Sequence, residues 1–244
     1  MSLKIRITYS FLFILCFAFY SCKGLNRSKV IYNDLEKVCE ELKLRNCNLS
    51  FNIGTEKSPY NQEEIQIRCS LTDSTHKYYV ENPAEASMRI ALYLYKNSIE
   101  REGVFPYKIL KVGVERNDTT FSIQYEQEEL EIIFLADKVV NEFVDLAGQN
   151  KKTEAELLVQ EGETNDSIPG FFDIIKQSKD CAGEIVRREF IGAYFDQIEE
   201  TKEDLLVYSM MIYRENDTNL VNCYILNSNH KIVYLEVGHN KPCE

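Results

Sequence analysis

Few side chains in this 244-residue chain are of types that carry acid–base, nucleophilic or metal chemistry. The three histidines are His76 in the polar run Thr72-Asp-Ser-Thr-His-Lys, His230 between Asn229 and Lys231, and His239 in the C-terminal tail. A histidine base needs an enclosed, apolar setting to tune its pKa and fix its geometry. Polar turns supply neither, so all three are expected as solvent-facing turn residues. The chain has no Gly-x-Ser-x-Gly elbow, no His-Glu-x-x-His helix and no P-loop. The acidic runs Glu126-Gln-Glu-Glu and Glu199-Glu-Thr-Lys-Glu-Asp lack the alternating oxygen ligands and central glycine of a calcium loop. They read as solvated helix and turn faces. No catalytic residue, metal ligand or cofactor site is expected from these elements.

Cys22 is the exception, because of what precedes it. Lys4 and Arg6 form a short cationic start, an apolar run covers Phe11 to Tyr20, and Ser21-Cys22 closes it. This is the three-part layout of a secretory signal, and the run is shorter than the roughly 20 residues that span a bilayer as a helix. With its Phe19-Tyr20-Ser21-Cys22 ending it resembles a bacterial lipoprotein signal of the Bacteroidota type. The resemblance implies cleavage after residue 21, acylation of Cys22 and a tether over residues 22–29. Lys23-Gly-Leu-Asn-Arg has no acidic cluster. In lipoproteins of this type that implies the periplasmic face of the outer membrane.

Of eight cysteines, Cys16 would leave with the signal, and Cys39, Cys47, Cys69, Cys181, Cys223 and Cys243 would remain beside Cys22. An even number in an exported chain is compatible with disulfides, and the spacing selects no pairing. Zinc sites usually show ligands two to four residues apart, and none are. Cys69 and Cys223 sit in strand-like runs, where a buried thiol acts as a small apolar residue.

Lys and Arg number 28 against 39 Asp and Glu, a net charge of −11 that becomes −13 without Lys4 and Arg6. Such a surface repels nucleic-acid phosphates and anionic lipid, which excludes nucleic acid as a partner and leaves the acyl group as the membrane tether.

The elements that must position any site read as follows. Ile31, Leu35, Val38, Cys39 and Leu42 share one helix face, ending by Asn46. Strands follow at Asn48–Ile53 and Glu64–Leu71, flanking a loop from Gly54 to Gln62. Asn82 is a natural N-cap, with Pro83 at the first helical position and Glu85 completing a capping box. Ala84, Met88, Ala91, Leu92, Tyr95 and Ile99 would line the buried face as far as Gly103. Strands at Lys108–Glu115 and Thr120–Tyr125 turn at Asn117-Asp118. Residues 30–126 thus read as an α-β-β-α-β-β layer, the first of two α+β domains. Residues 127–244 form the second. Glu128–Ala147 reads as a long helix, with Glu129–Phe134 also compatible with a strand. Shorter helices are expected at Thr153–Val159 and from Pro169 through Phe171, Phe172, Ile174 and Ile175. Four strands close the chain: Ile185–Phe195, Leu205–Tyr213, Leu220–Leu226 and Ile232–Val237, the last three as a meander. Leu205–Tyr213 is apolar at both parities and should be covered on both faces.

Helices before four strands, Phe171-Phe172, Gly183 leading into the first strand, and the ending Asn229-His-Lys-Ile-Val-Tyr-Leu-Glu-Val together resemble the NTF2-like superfamily of cone-shaped α+β domains, over residues 137–238. Enzymes of that superfamily use an Asp, His or Tyr pointing into the cone. The resemblance would place Tyr194, Tyr208, Tyr213, Tyr224 and Asp173 as interior candidates, for which ring burial is the simpler reading. Tyrosine (15) and phenylalanine (13) are abundant and tryptophan is absent. An exposed aromatic patch could hold sugar or peptide, and Tyr78-Tyr79 and Phe105-Pro-Tyr107 border loops, although packing of these rings in the core is the leading reading. Asp73-Ser-Thr, Asp118-Thr-Thr and Asp166-Ser-Ile resemble the short O-glycosylation sites of exported Bacteroidota proteins. The expectation is a lipid-anchored envelope protein acting as a non-enzymatic binding or assembly module for an envelope protein partner, an acidic immunity-type inhibitor being one version. The alternative is a small hydrolase or isomerase using a pocket in the C-terminal domain, marked by an enclosed carboxylate of raised pKa.

Overall fold

The computed structural model describes residues 30–52, 64–72, 74–75, 77–160, 183–198 and 202–238. Cys22, Asp73, His76, His239, Asp173, Cys181, Cys243, the helix expected from Pro169 and the Asp166 tripeptide lie outside the described residues. Helix α1 covers residues 30–41. Its apolar stripe Ile31, Leu35, Val38 and Cys39 is buried, as helical spacing demands, and so is Leu42 in the turn that follows. Lys43 then turns the chain in a left-handed conformation (φ 56°), so the helix stops before Asn46.

Strands β1 (Arg45–Asn52) and β2 (Glu64–Ser70) pair antiparallel, and β2 lies parallel to β3 (Ile109–Arg116), which pairs antiparallel with β4 (Thr119–Glu126). The parallel β2–β3 pair requires a crossover. Helices α2 (Lys77–Glu81) and α3 (Pro83–Glu102) provide it. Ile65, Ile67 and Cys69 alternate into the core beside Leu110, Val112 and Val114.

Pro83 and Gly103 bound α3 as expected, Gly103 in the left-handed region at φ 70°. The capping box does not form there. Helix α2 ends at the preceding residue, so Asn82 Nδ2 donates back to the Tyr78 carbonyl (3.0 Å) instead of capping α3. The box occurs at α4 (Gln127–Gly148), where the Glu126 amide donates to Glu129 Oε2 over 2.9 Å. Helix α3 touches β3 and β4 on one side and β5 and α4 on others, so its buried surface is broader than one stripe. Ala86, Ser87, Ile90, Leu94 and Ser98 are buried, Met88 and Ile99 are half-buried, and Ala84 is exposed. Glu129–Phe134 is helical within α4, and α5 (Lys152–Glu156) ends before Val159, which bridges to Ile232.

The second sheet is an antiparallel meander of β5 (Ile185–Gln197), β6 (Asp204–Arg214), β7 (Thr218–Leu226) and β8 (Ile232–Gly238). On β6, Leu206, Val207, Tyr208, Met210 and Ile212 are all buried, covering both parities. The chain is an α+β protein. Buried residues of both sheets and of α1, α3 and α4 belong to one apolar cluster running from Ile31 to Leu235. Cys39 and Cys47 are bridged by a disulfide, and Cys69 and Cys223 are buried free thiols. Among the described residues no helix is long and apolar enough to cross a membrane.

Candidate functional site

Among the described residues, two places gather charged or aromatic side chains beside a cleft or an open face. The first is a cleft of about 200 Å³ between α3, α4 and β5, lined by Arg89, Lys96, Asp137, Asn141, Arg188 and Glu189 among others. Helical spacing builds it. Arg89 and Lys96 are seven residues apart on α3, and Asp137, Asn141 and Asp145 stand at i, i+4 and i+8 on α4. Asp137 is almost wholly buried. Its Oδ1 accepts from the Tyr208 hydroxyl (2.6 Å) and from Asn141 Nδ2 (3.0 Å), and its Oδ2 faces Lys96 Nζ at 3.3 Å. Arg89 forms ion pairs with Glu189 and Glu41, and donates to the Tyr79 hydroxyl (2.7 Å), which donates to Glu189 Oε1 (2.9 Å). Arg188 pairs with Asp145 and donates to the Asn141 carbonyl (3.1 Å).

Burial alone would push the Glu189 carboxyl up. The Arg89 guanidinium, hydrogen bonds from Tyr79 and Tyr213, and Arg187 outweigh it and hold the group below its ordinary range. Burial, then Asp137, pushes the Tyr208 phenol far up, so it remains a neutral donor. Each charged group in the cleft therefore has a partner within the protein, and Asp137 is engaged on both oxygens. Buried charges persist when paired in this way. The network ties α1, α2, α3, α4, β5 and β6 together. A carboxylate pushed up by burial exists at Glu85, whose Oε2 is buried without a hydrogen-bond partner, but Glu85 does not line the cleft.

The second place is the outer face of the meander. Tyr194, Val207, Tyr224 and Tyr234 are successive register partners across β5, β6, β7 and β8. Tyr194 is 55% and Tyr234 44% exposed, while Val207, between Tyr194 and Tyr224 in the row, is 2% exposed. The Tyr224 and Tyr234 rings meet edge to face at 5.3 Å. Above lies the row Asp196, Leu205 and Leu226, and below it Gly192, Ser209, Asn222 and Glu236. Ser209 Oγ donates to Asn222 Oδ1 (2.8 Å), and Asn222 Nδ2 donates to Glu236 Oε2 (3.4 Å). These three rows contain two carboxylates, at Asp196 and Glu236, and no Lys or Arg.

Of the four tyrosines expected inside, only Tyr208 is wholly buried. Tyr213 and Tyr224 are half-buried, and Tyr194 points out. The cause for Tyr194 is a register shift in β5 between Phe190 and Gly192. Phe190 pairs with buried Met210, but past the irregularity Ala193 pairs with buried Tyr208. One extra residue reverses the parity and sends Tyr194 to the opposite face. The aromatics that border loops follow the core reading rather than that of an exposed patch. Tyr79, Phe105 and Tyr107 are buried, Phe105 packing at 5.1 Å from Tyr95 and 5.7 Å from Tyr107. His230 occupies the β7–β8 turn with φ 56° and is half-buried.

Comparison of the chain with known protein families, with curated proteins and with solved structures finds no match.

Proposed function

We propose that this chain is an envelope protein, anchored through acylated Cys22 at the periplasmic face of the outer membrane, that binds a basic protein partner on the tyrosine face of β5–β8 and performs no catalytic step. The observation that carries the reading is the in-register row Tyr194–Val207–Tyr224–Tyr234. Tyrosines offer large, stiff contact area at low conformational cost and are enriched where interfaces concentrate their energy. Their ring faces attract Lys and Arg. Asp196 and Glu236 border the row without a neighbouring cation in it, and the chain as a whole carries −11. A partner with a basic contact strand or loop complements all of these features, and an acidic immunity-type inhibitor is one form of such a binder.

The alternative, a small hydrolase or isomerase, needs an enclosed carboxylate free to exchange a proton. The cleft favours the binding reading, since its Glu189 is held low and its Asp137 is fully engaged. Tyr208 stacking at 5.0 Å from Phe190, beneath α4, supports an NTF2-like second half whose interior is filled by side chains.

The test is titration with a ten-residue arginine peptide, followed by tyrosine emission in this tryptophan-free chain. Saturable binding that weakens with salt is expected. Tyr194→Ala with Tyr234→Ala should weaken it about tenfold or more although no charge changes. Unchanged affinity in that double variant would overturn the reading. So would salt-insensitive binding of a neutral oligosaccharide in place of the peptide.

A further inference from the structure

We infer that Cys39, Cys47 and Cys69 form a thiol–disulfide exchange site in which the Cys39 sulfur takes either of two partners. The inference is independent of the tyrosine face. Cys39 lies near the end of α1, Cys47 at the start of β1 and Cys69 on β2, and their three sulfurs lie within 4.8 Å of one another. Cys39 is already bridged to Cys47, and the Cys69 sulfur stands 3.6 Å from that of Cys39, in van der Waals contact with no room for an intervening atom. Cys39 and Cys69 are buried, whereas Cys47 is half-buried at a register irregularity between Arg45 and Asn48.

Exchange needs no outside oxidant or reductant. Cys69 gives up its proton, and its thiolate forms a new bond to Cys39 Sγ. The Cys39–Cys47 bond breaks, and its electron pair leaves on Cys47 Sγ, which takes up a proton. One thiol and one disulfide stand on each side of the step. The product buries a bridge between α1 and β2 and leaves the more accessible Cys47 as the free thiol, open to a small disulfide or to an alkylating reagent.

With all three sulfurs within 4.8 Å of one another, Cys69 lies to the side of the Cys39–Cys47 bond, and attack in line with that bond follows rotation of the Cys69 side chain. The turn enclosed by the Cys39–Cys47 bridge contains two left-handed non-glycine residues, Lys43 (φ 56°) and Asn46 (φ 53°), a backbone state that is unfavourable for L-residues. Exchange unties that turn. Strand β1 remains paired with β2 from Asn48 to Asn52, and Thr72 and Thr75 still donate to the Lys43 carbonyl at 3.0 and 3.1 Å. Burial, then the Glu115 carboxylate on β3, pushes the Cys69 thiol up to about 12, and the sulfurs of Cys39 on α1 and Cys47 on β1 lie within 4.8 Å of it. The thiolate is therefore scarce at neutral pH. Cys39–Cys47 is the resting bridge and exchange is slow, accelerating with pH.

The experiment incubates the folded full-length chain with a maleimide and no reductant at pH 7 and pH 8, then maps peptides under non-reducing conditions. The expected result is label on Cys47 together with a Cys39–Cys69 bridge, forming about ten times faster at the higher pH. Cys69→Ser should abolish labelling of Cys47. Label on Cys69 with the original bridge intact, equal Cys47 labelling in Cys69→Ser, or no label on Cys47 would each overturn the inference. Because Cys69→Ser places a hydroxyl in the core, Cys47→Ser supplies a second reading. Oxidised with a small disulfide, it should convert Cys39 and Cys69 to a bridge. Both thiols remaining alkylatable in folded Cys47→Ser protein would contradict the site.

Discussion

Tyr208 on β6 donates its hydroxyl to Oδ1 of Asp137 on α4 over 2.6 Å, linking the centre of the second sheet to the longest helix among the described residues. The tyrosine is fully buried and the aspartate almost so. Removing the hydroxyl leaves the carboxylate with Asn141 and Lys96 as its remaining partners. A buried acceptor that loses a donor costs about 1–3 kcal/mol. Tyr208→Phe should therefore lower the unfolding free energy by about 1–3 kcal/mol, read as a lower urea midpoint at unchanged slope. An unchanged midpoint would show that the bond contributes nothing net.

Glu189 makes stability depend on acid. Its carboxyl is held below the usual 4.5 by Arg89, Tyr79, Tyr213 and Arg187, against the opposing effect of burial. A depressed folded-state pKa gives stability that is present above the unfolded value and lost as pH falls through the folded one. Unfolding midpoints should fall as pH drops below about 4.5, and Glu189→Gln should be less stable at pH 7 but flatter across that window. A variant with the same acid slope as wild type would place the dependence elsewhere.

Glu85 has the opposite sign. Burial pushes its carboxyl up from 4.5, against the hydrogen bond from Tyr78, and Oε2 has no partner. A raised acid contributes stability that is full below the unfolded pKa and lost as pH rises through the folded one. Glu85→Gln should therefore melt higher than wild type at pH 7, with the difference vanishing near pH 4. A lower melting temperature at pH 7 would mean that the charged form is the stabilising one.

The anchor is checked by labelling cells with a palmitate analogue and separating membrane from soluble fractions. Wild type should label and sediment with membranes, and Cys22→Ala should do neither. Unlabelled, soluble wild type would remove the anchor from the account.

The parts of the fold legible in the sequence are those with local determinants. The stripe of α1, the Pro83 and Gly103 boundaries of α3 and the doubly apolar β6 follow from periodicity and backbone chemistry within a few residues, and all appear in the structure. The capping partner of Asn82 was settled by where α2 ends, which periodicity does not fix. The outward turn of Tyr194 depends on a single added residue between Phe190 and Gly192, invisible to an alternation pattern. The cleft left only a faint trace, the i, i+4, i+8 run Asp137–Asn141–Asp145, because its partners Arg89 and Glu189 are 100 residues apart. The in-register tyrosines share this character, since they adjoin only once four strands are aligned.

The measurement that bears most directly on the proposed role is amide chemical-shift mapping of the isotope-labelled protein during titration with the arginine peptide. Perturbations centred on Tyr194, Val207, Tyr224 and Tyr234 and extending to Asp196 and Glu236 are expected. Perturbations centred instead on Arg89, Asp137 and Glu189 would contradict that role, moving the site from the sheet face into the cleft.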